Sequence, residues 1–411
     1  MRKSLFLGFL LFLSASLFAQ TKPSLSLSAN FSTLSELRQG YKTILSLNDR
    51  PAFVVSQRSR LILDYKNNKL DLRFSLQDVR AWGETFIVNT TKPILLHEAW
   101  IRYKFNQNLN ITIGRKAINY GDRRVFSDRN WSLSGAAHDV AILNFTKKNL
   151  YIDFGIAVNN NSAGLLVASP YTINQYQSMS WLWASKDFSP NFRLNFLNLL
   201  AAYQKTGSLT NYGVNTLGLN PVIKLFGFEL NSAAYLQFGK NGNARKQQAH
   251  IYTANLKYAY QYLSLKVGYD HYSGKKYDDN SNTDYDFLQI TETIPHSFLG
   301  YMDFVKGPQY QKQFGISDLN FNMKYGKKTS LAAYFHLLNY AHEPSAVLSK
   351  KIGKELDFLF TQKFGGQHTL NIGYSFMLPH DDFLSFAISP VTEAKFAQWV
   401  WVRLIFNPKL L

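Results

Sequence analysis

The 411-residue chain contains no cysteine. That excludes a disulfide framework, a thiolate metal site, a cysteine nucleophile and a lipid-modified N-terminal cysteine. Beyond the first twenty residues it also lacks any apolar run approaching the roughly 18 residues that a spanning helix needs. The longest candidate, 194–203, is interrupted by Asn195 and Asn198. Acidic residues are few: 27 Asp and Glu stand against 45 Lys and Arg, a formal net charge of +18. Enzymatic signatures are missing as well. There is no Gly-x-Ser-x-Gly elbow and no phosphate-cradling loop, and His97-Glu98 has no second histidine four residues on. The sequence therefore predicts neither an enzyme nor a cofactor.

What is present begins with an export signal. Arg2 and Lys3 form a basic start, Leu5 to Leu13 an apolar stretch, and Ala19 a small residue before Gln20, so 1–19 reads as a signal peptide. Removing it takes away two cations and no acid, leaving +16. Such a balance calls for an anionic partner, either lipid head groups or acidic solutes. Nucleic acid is not expected for an exported chain.

From residue 24 onward the sequence repeats one unit, a stretch of about ten residues alternating apolar and polar, then a turn. Leu70, Leu72, Phe74 and Leu76 share one face and Asp71, Arg73, Ser75 and Gln77 the other. Leu263, Leu265, Val267 and Tyr269 repeat the pattern, as do Leu370, Ile372, Tyr374 and Phe376. Eighteen strands are predicted, opening with 24–38, 53–66, 69–83, 93–106 and 109–118 and closing with 312–326, 328–340, 350–364, 367–379 and 393–407. Short turns (66–69, 105–109, 147–149, 188–191, 224–227, 260–262, 325–328, 363–367) alternate with longer polar links, including 84–92, 119–135, 160–175, 273–311 and 380–392. An aromatic-rich soluble all-β protein could use such strands. Long strands, short turns at one end and long loops at the other instead predict an all-β, transmembrane, antiparallel up-and-down β-barrel over 20–411. Both termini then fall on the periplasmic side of an outer membrane. The 15% aromatic content suits the two interfacial girdles of such a barrel. Phe406, in the closing strand, looks like the signal read by barrel-insertion machinery, although five residues follow it.

An eighteen-stranded lumen is too wide for side chains alone to fill. The link 273–311, with the apolar stretch 298–305 beside His296 and Asp303, reads either as an internal constriction or as a disordered loop. The early strands carry dense charge on one parity: Arg58, Arg60 and Asp64; Asp71 and Arg73; Glu98, Arg102 and Lys104. A cation on the lipid face costs about 2–4 kcal/mol near midplane, so these side chains should point inward. Arginine holds carboxylates in a bidentate fork and keeps its charge. The set reads as a pore lining for anions, or as an Arg–Asp–Glu lattice bracing the wall, with Asp71, Asp78 and Glu98 holding some of the arginines and leaving the surplus for solute. Asp78 and Arg80 fall on the parity of Leu72 and Phe74, and Arg115 on that of Ile111 and Ile113. A bulge reverses the faces there, or these strand ends lie beyond the apolar band. Asp278, Asp279, Asp284 and Asp286 are a weak calcium candidate whose plainer reading is a solvated loop.

Arg58-Ser-Arg60, Leu76 to Gly83, His97-Glu98-Ala99-Trp100, Gly114 to Arg124, and Trp131 with His138-Asp139 together resemble the alginate-export porin family. His296 to Asp303 and Gly315 to Asn320 extend the likeness. The resemblance implies an eighteen-stranded barrel with an electropositive pore passing a polyuronate. It implies that Arg58, Arg60, Asp78, Arg80, Glu98, Arg115, Asp122, Arg123, Arg124 and Asp139 line the pore or its mouth. The expected function is passage of anionic solutes, uronate-type oligosaccharides or small carboxylates. The alternatives are a general porin, or a barrel that binds or assembles at the surface with its pore closed.

Overall fold

The structure, a computed structural model, describes residues 23–84, 94–160, 175–205, 207–289, 296, 298–307, 309–387 and 394–411. The predicted signal peptide and parts of the links 84–92, 160–175, 273–311 and 380–392 lie outside the described residues.

Alternation becomes strand throughout. The strands are β1 (Ser24–Gln39), β2 (Ala52–Lys66), β3 (Leu70–Ala81), β4 (Leu95–Lys104), β5 (Leu109–Lys116) and β6 (His138–Lys147). They continue as β7 (Leu150–Val158), β8 (Ser178–Ser189), β9 (Phe192–Gln204), β10 (Asn211–Leu225), β11 (Phe228–Lys240), β12 (Lys246–Tyr260) and β13 (Leu263–Tyr272). β14 (Thr283–Asp284) is a two-residue strand that runs parallel to β12 inside the longest link. The last five are β15 (Ile316–Gly326), β16 (Thr329–Asn339), β17 (Lys351–Phe364), β18 (His368–Pro379) and β19 (Ala397–Phe406). One short helix, α1 (Asp381–Ala387), precedes β19.

Apart from β14, each strand pairs antiparallel with the next, β13 passing directly to β15. β19 returns to β1, with Phe31 opposite Phe406 and Leu37 opposite Val400, so the sheet closes into an eighteen-stranded barrel with no free edge. Past β19, Leu410 and Leu411 donate to the Leu27 carbonyl and extend the seam.

Because side chains alternate, the register decides which residues face out. Leu61, Phe74, Ile113, Phe154, Val267 and Phe321 are exposed on the outer face. Apolar exposure around a whole circumference suits lipid rather than water. The inner face divides along its height. Toward the short turns it is polar and charged. Toward the long loops it carries buried Trp181, Ile251, Trp399 and Trp401. The apolar stretch is there because two long links fold inward and need apolar partners. Gly155 and Gly373 make room for the rings, since a Cβ at either would overlap Trp181 or Trp401. One predicted strand loses its start, because 312–314 is a single 3-10 turn before β15.

Candidate functional site

The charged parity of β2 to β5 forms one arc of the inner wall. On β3, Arg73 is braced from both sides, by Asp64 at 2.8 and 3.0 Å and by Glu98 at 3.4 Å. Lys104 reaches Asp71 at 2.6 Å, and Arg102 donates to Thr112 with Asp71 further off at 3.9 Å. The Arg73 and Lys104 pairs are the bracing lattice. Arg60 has a neutral partner, donating to the Gln77 carbonyl oxygen at 2.6 and 3.1 Å. Lys116, half-buried on β5, lies over the Trp100 ring at 4.7 Å. The pairing of β3 with β4 skips His97 between Ser75 and Leu76, and that bulge buries both His97 and Glu98.

Residues 117–137, linking β5 to β6, enter the barrel and cross it. Arg124 is buried and meets Asp270 on the far wall at 2.6 Å, Asp122 at 3.1 Å and the Tyr272 hydroxyl at 2.6 Å. Burial works against its charge, but Asp270 and Asp122 more than offset that and raise the guanidinium pKa. Asp122 accepts from Tyr235 at 2.6 Å, and Tyr120 donates to Asp153 at 2.8 Å. On the near wall Arg58, only 2% exposed, donates to Asn30, Asn130 and the Leu133 carbonyl. Arg403 donates to Ser32 and the Trp131 carbonyl and lies 4.9 Å from the Trp131 ring.

A second inward segment, 298–307, meets the first. Phe298 covers the Arg124 guanidinium at 4.3 Å, and His296 stacks on Trp131 at 4.4 Å and on Tyr301 at 5.0 Å. The Met302 amide donates to Glu355 at 2.7 Å, and Gly300 lies so close that a Cβ would overlap that carboxylate. Asp303 joins His296 at 3.0 Å, Lys306 at 2.8 Å and the Tyr41 hydroxyl at 3.0 Å. Burial alone would raise the Asp303 carboxyl, but His296 and Lys306 outweigh it and hold it well below the usual carboxylate range. Burial and Asp303 together push the Tyr41 phenol up. Of the two readings of 273–311, the described part of 296–307 is a packed constriction element, shared with 117–137.

On the long-loop side of this closure lies a cavity of about 790 Å³. Arg38, Lys42, Arg123 and Lys306 line it together with Glu36, Glu84, Asp128 and Asp303, among the aromatic faces of Tyr41, Trp131 and Phe298. Arg38 pairs with Glu36 at 2.6 Å and Lys306 with Asp303, while Lys42 and Arg123 are not in those pairs. Arg123 is exposed there, with a left-handed backbone at φ 66°.

Four predicted pore residues lie off the charged arc, although Arg80 among them reaches the rim of the cavity. The β2–β3 register runs unbroken from Lys66 opposite Asp71 to Ser56 opposite Ala81, so no bulge reverses the faces. Asp78 and Arg80 therefore share the outer face with Ser59 and Gln57, paired to each other at 2.7 Å. Arg115 faces out opposite Asp139 on β6, 2.9 Å apart. All four sit at loop-facing strand ends, where ion pairing lowers the cost of facing outward. The acidic candidates do not converge: Asp284 binds Arg245 at 2.9 Å and Asn241, Asp286 points toward Lys312, and Asp279 caps Ser281. Among the described residues no group of three or more acids and histidines could hold a metal.

Sequence reading missed Lys116, Arg403, Arg38, Lys42 and Lys306. Arg403 was within reach, because it alternates with Trp399 and Trp401 against Val400 and Val402 on the outer face. Lys42 and Lys306 lie in links that carry no period.

No protein-family model and no curated protein matches the chain. Solved structures do. OpdL of Pseudomonas aeruginosa superposes with a TM-score of 0.64 at 12% identity, covering 94% of this chain and 99% of that one. OpdK of Pseudomonas aeruginosa, solved with vanillate, gives 0.62 at 9% identity over 94% and 99%. OccAB4 of Acinetobacter baumannii gives 0.61 at 12% identity over 95% and 99%. The chain thus shares the fold of these barrels, and nothing in these likenesses bears specifically on alginate export.

Proposed function

We propose that the chain is an outer-membrane channel for small organic anions, carboxylates ahead of uronate oligosaccharides. One observation carries this reading. On the arc of β2 to β5, Arg60 has an amide rather than a carboxylate as partner, Lys116 has a ring, and Arg102 has a hydroxyl with its carboxylate 3.9 Å away. These cations keep bonding capacity for a passing anion, and several weak sites in succession let it leave as well as enter. The cavity before the closure sets Lys42 and Arg123, outside the Arg38–Glu36 and Lys306–Asp303 pairs, beside ring faces, which suits a carboxylate carrying a flat apolar body. OpdK, which shares the fold, was solved with such a compound, vanillate. Two inward segments narrow the lumen, which favours small solutes over oligomers.

Planar-bilayer recording in a salt gradient tests the proposal. The expected result is an anion-selective reversal potential and current block by aromatic monocarboxylates at lower concentration than by oligouronates. A cation-selective or unselective pore would overturn it. Block by oligouronates alone would restore the polyuronate reading. The interlock of Phe298 with Arg124 favours one second reading, a barrel closed at rest, and absence of any conductance would support it.

A further inference from the structure

The outer wall carries a groove as well as a band. It crosses β11, β12, β13, β15 and β16 on the side of the short turns and encloses about 580 Å³, within the roughly 300–1,000 Å³ of small-molecule sites. Phe228, Tyr258, Leu265, Met323 and Phe335 form its sides, with Phe228 and Tyr258 in ring contact at 4.9 Å. Ala333 lies among them, paired with Met323 on one side and Phe358 on the other, a small residue between large ones. The register assigns all of these to the lipid-facing parity, and Leu265, Met323 and Phe358 are exposed.

The charge at the foot of the groove is one-sided. Lys327 and Lys328 form the β15–β16 turn, and the Lys327 ammonium sits 4.8 Å from the Tyr262 ring centre, where Tyr262 meets Tyr325. The acids on the strands that frame the groove, Glu229, Asp270, Asp318, Glu355 and Asp357, all alternate onto the lumen-facing parity, so the groove's own face sets no acid against the two lysines. An apolar trough running up the wall, with tyrosines and unpaired cations where the wall leaves the band, has the polarity of one phospholipid. Lysines placed at this level attract anionic headgroups.

We infer that this groove is a binding site for an anionic phospholipid of the leaflet on the short-turn side. One acyl chain lies along Ala333, and the headgroup phosphate is held by Lys327 and Lys328. A second copy of the chain is the weaker occupant: packed upright, it would bring its own lysine-bearing turns alongside these, with no acid on the outward face of these strands to meet them. The inference rests on the membrane part of the proposal and is independent of the solute.

The test uses the full chain in nanodiscs of equal phosphatidylglycerol, phosphatidylethanolamine and phosphatidylcholine, transferred to mild detergent. Co-retained lipid is then counted by native mass spectrometry. Phosphatidylglycerol should be retained at least about tenfold over either neutral lipid. Lys327→Glu with Lys328→Glu, in an exposed turn, should abolish that preference. Ala333→Trp, which fills the trough from the lipid side, should remove the bound lipid. Retention indifferent to headgroup, or a preference untouched by the lysine pair, overturns the inference, and the lysine variant decides even if Ala333→Trp does not fold. Disulfide-linked dimers from Ala333→Cys would assign the groove to a second copy and overturn it too. A chain soluble without detergent would instead sink the membrane reading itself.

Discussion

Arg58 and Arg60 stand two residues apart on one face of β2, yet their surroundings divide their roles. Arg58 is enclosed by Asn30, Asn130 and the Leu133 carbonyl and, with Arg403, fastens 117–137 to the wall. Arg60 stays half-buried beside Gln77. Replacing both Arg58 and Arg403 with glutamine should cost several charge-assisted bonds of about 1.5–3 kcal/mol each. The expected outcome is a larger single-channel conductance with little change in anion preference. Replacing Arg60 and Lys116 with glutamine should do the reverse, lowering the anion-to-cation permeability ratio at similar conductance. If the first pair shifts the reversal potential more than the second, the division of roles is wrong. Asp303 gives a second test at this scale. Its carboxyl is held below the ordinary value, so its contribution to docking 298–307 is complete above the unfolded pKa and fades only as pH falls through the lower folded one. Asp303→Asn leaves Lys306 without its carboxylate and should cost about 3 kcal/mol. Limited proteolysis should show the variant's inward segment cut faster by a constant factor from pH 8 to about pH 4, the difference shrinking only in stronger acid. A difference that vanishes near neutrality would mean that Asp303 is not the anchor.

Strands and glycines belong to the next scale. On β18 and β7, Gly373 and Gly155 are the floors against which Trp401 and Trp181 lie. An alanine at either position drives the ring toward the lumen, where Trp401 already meets Trp131 edge-on at 4.9 Å and Trp181 meets Phe126 at 5.3 Å. Overpacking of this kind costs about 1–3 kcal/mol. Gly373→Ala and Gly155→Ala should each lower the unfolding temperature followed by heat-dependent gel mobility. Unchanged midpoints would mean that the rings have other space to occupy. Elements are also where sequence reading worked and where it stopped. All eighteen barrel strands could be read from a period of two, because each has one apolar outer face and one face in the barrel, and the eight short turns fixed the hairpin order. The skip at His97 could not be read, since a bulge leaves the local pattern plausible on either register. Nor could the fate of 117–137, where Phe126, Trp131 and Leu133 follow no period; three large apolar residues in a long polar link were the available hint that it is buried. Asp78, Arg80, Arg115 and Asp139 were placed at the pore by the family resemblance, while alternation left Asp78, Arg80 and Arg115 either reversed by a bulge or beyond the apolar band. The unbroken register takes the second alternative, and at those strand ends the charges pair with each other.

For the molecule as a whole, the question is how two inward segments from opposite halves of the chain close one lumen. They touch through Phe298 on Arg124 and His296 on Trp131. Each also has anchors that the other does not supply. Residues 117–137 hold to Arg58, Arg403, Asp270 and Asp153, and 298–307 hold to Glu355 and Tyr41. Independent anchoring predicts independent removal. Excising 122–133 should leave 298–307 docked and open only part of the cross-section, and excising 298–305 should do the converse. The double excision should expose the full eighteen-stranded lumen, with a conductance gain near the combined gains of the two single excisions. Anion preference should fall but persist in the double variant, since Arg60, Arg102 and Lys116 belong to the wall and remain. Bilayer recording of the three variants distinguishes this from a single coupled gate. In a coupled gate the contacts between the segments outweigh their anchors, either excision alone releases the other segment, and the second adds nothing. The geometry argues against that outcome: the segments meet through ring and cation–ring contacts, worth about 0.5–2 kcal/mol each. Each is tied to the wall by buried charge-assisted bonds, whose loss costs more.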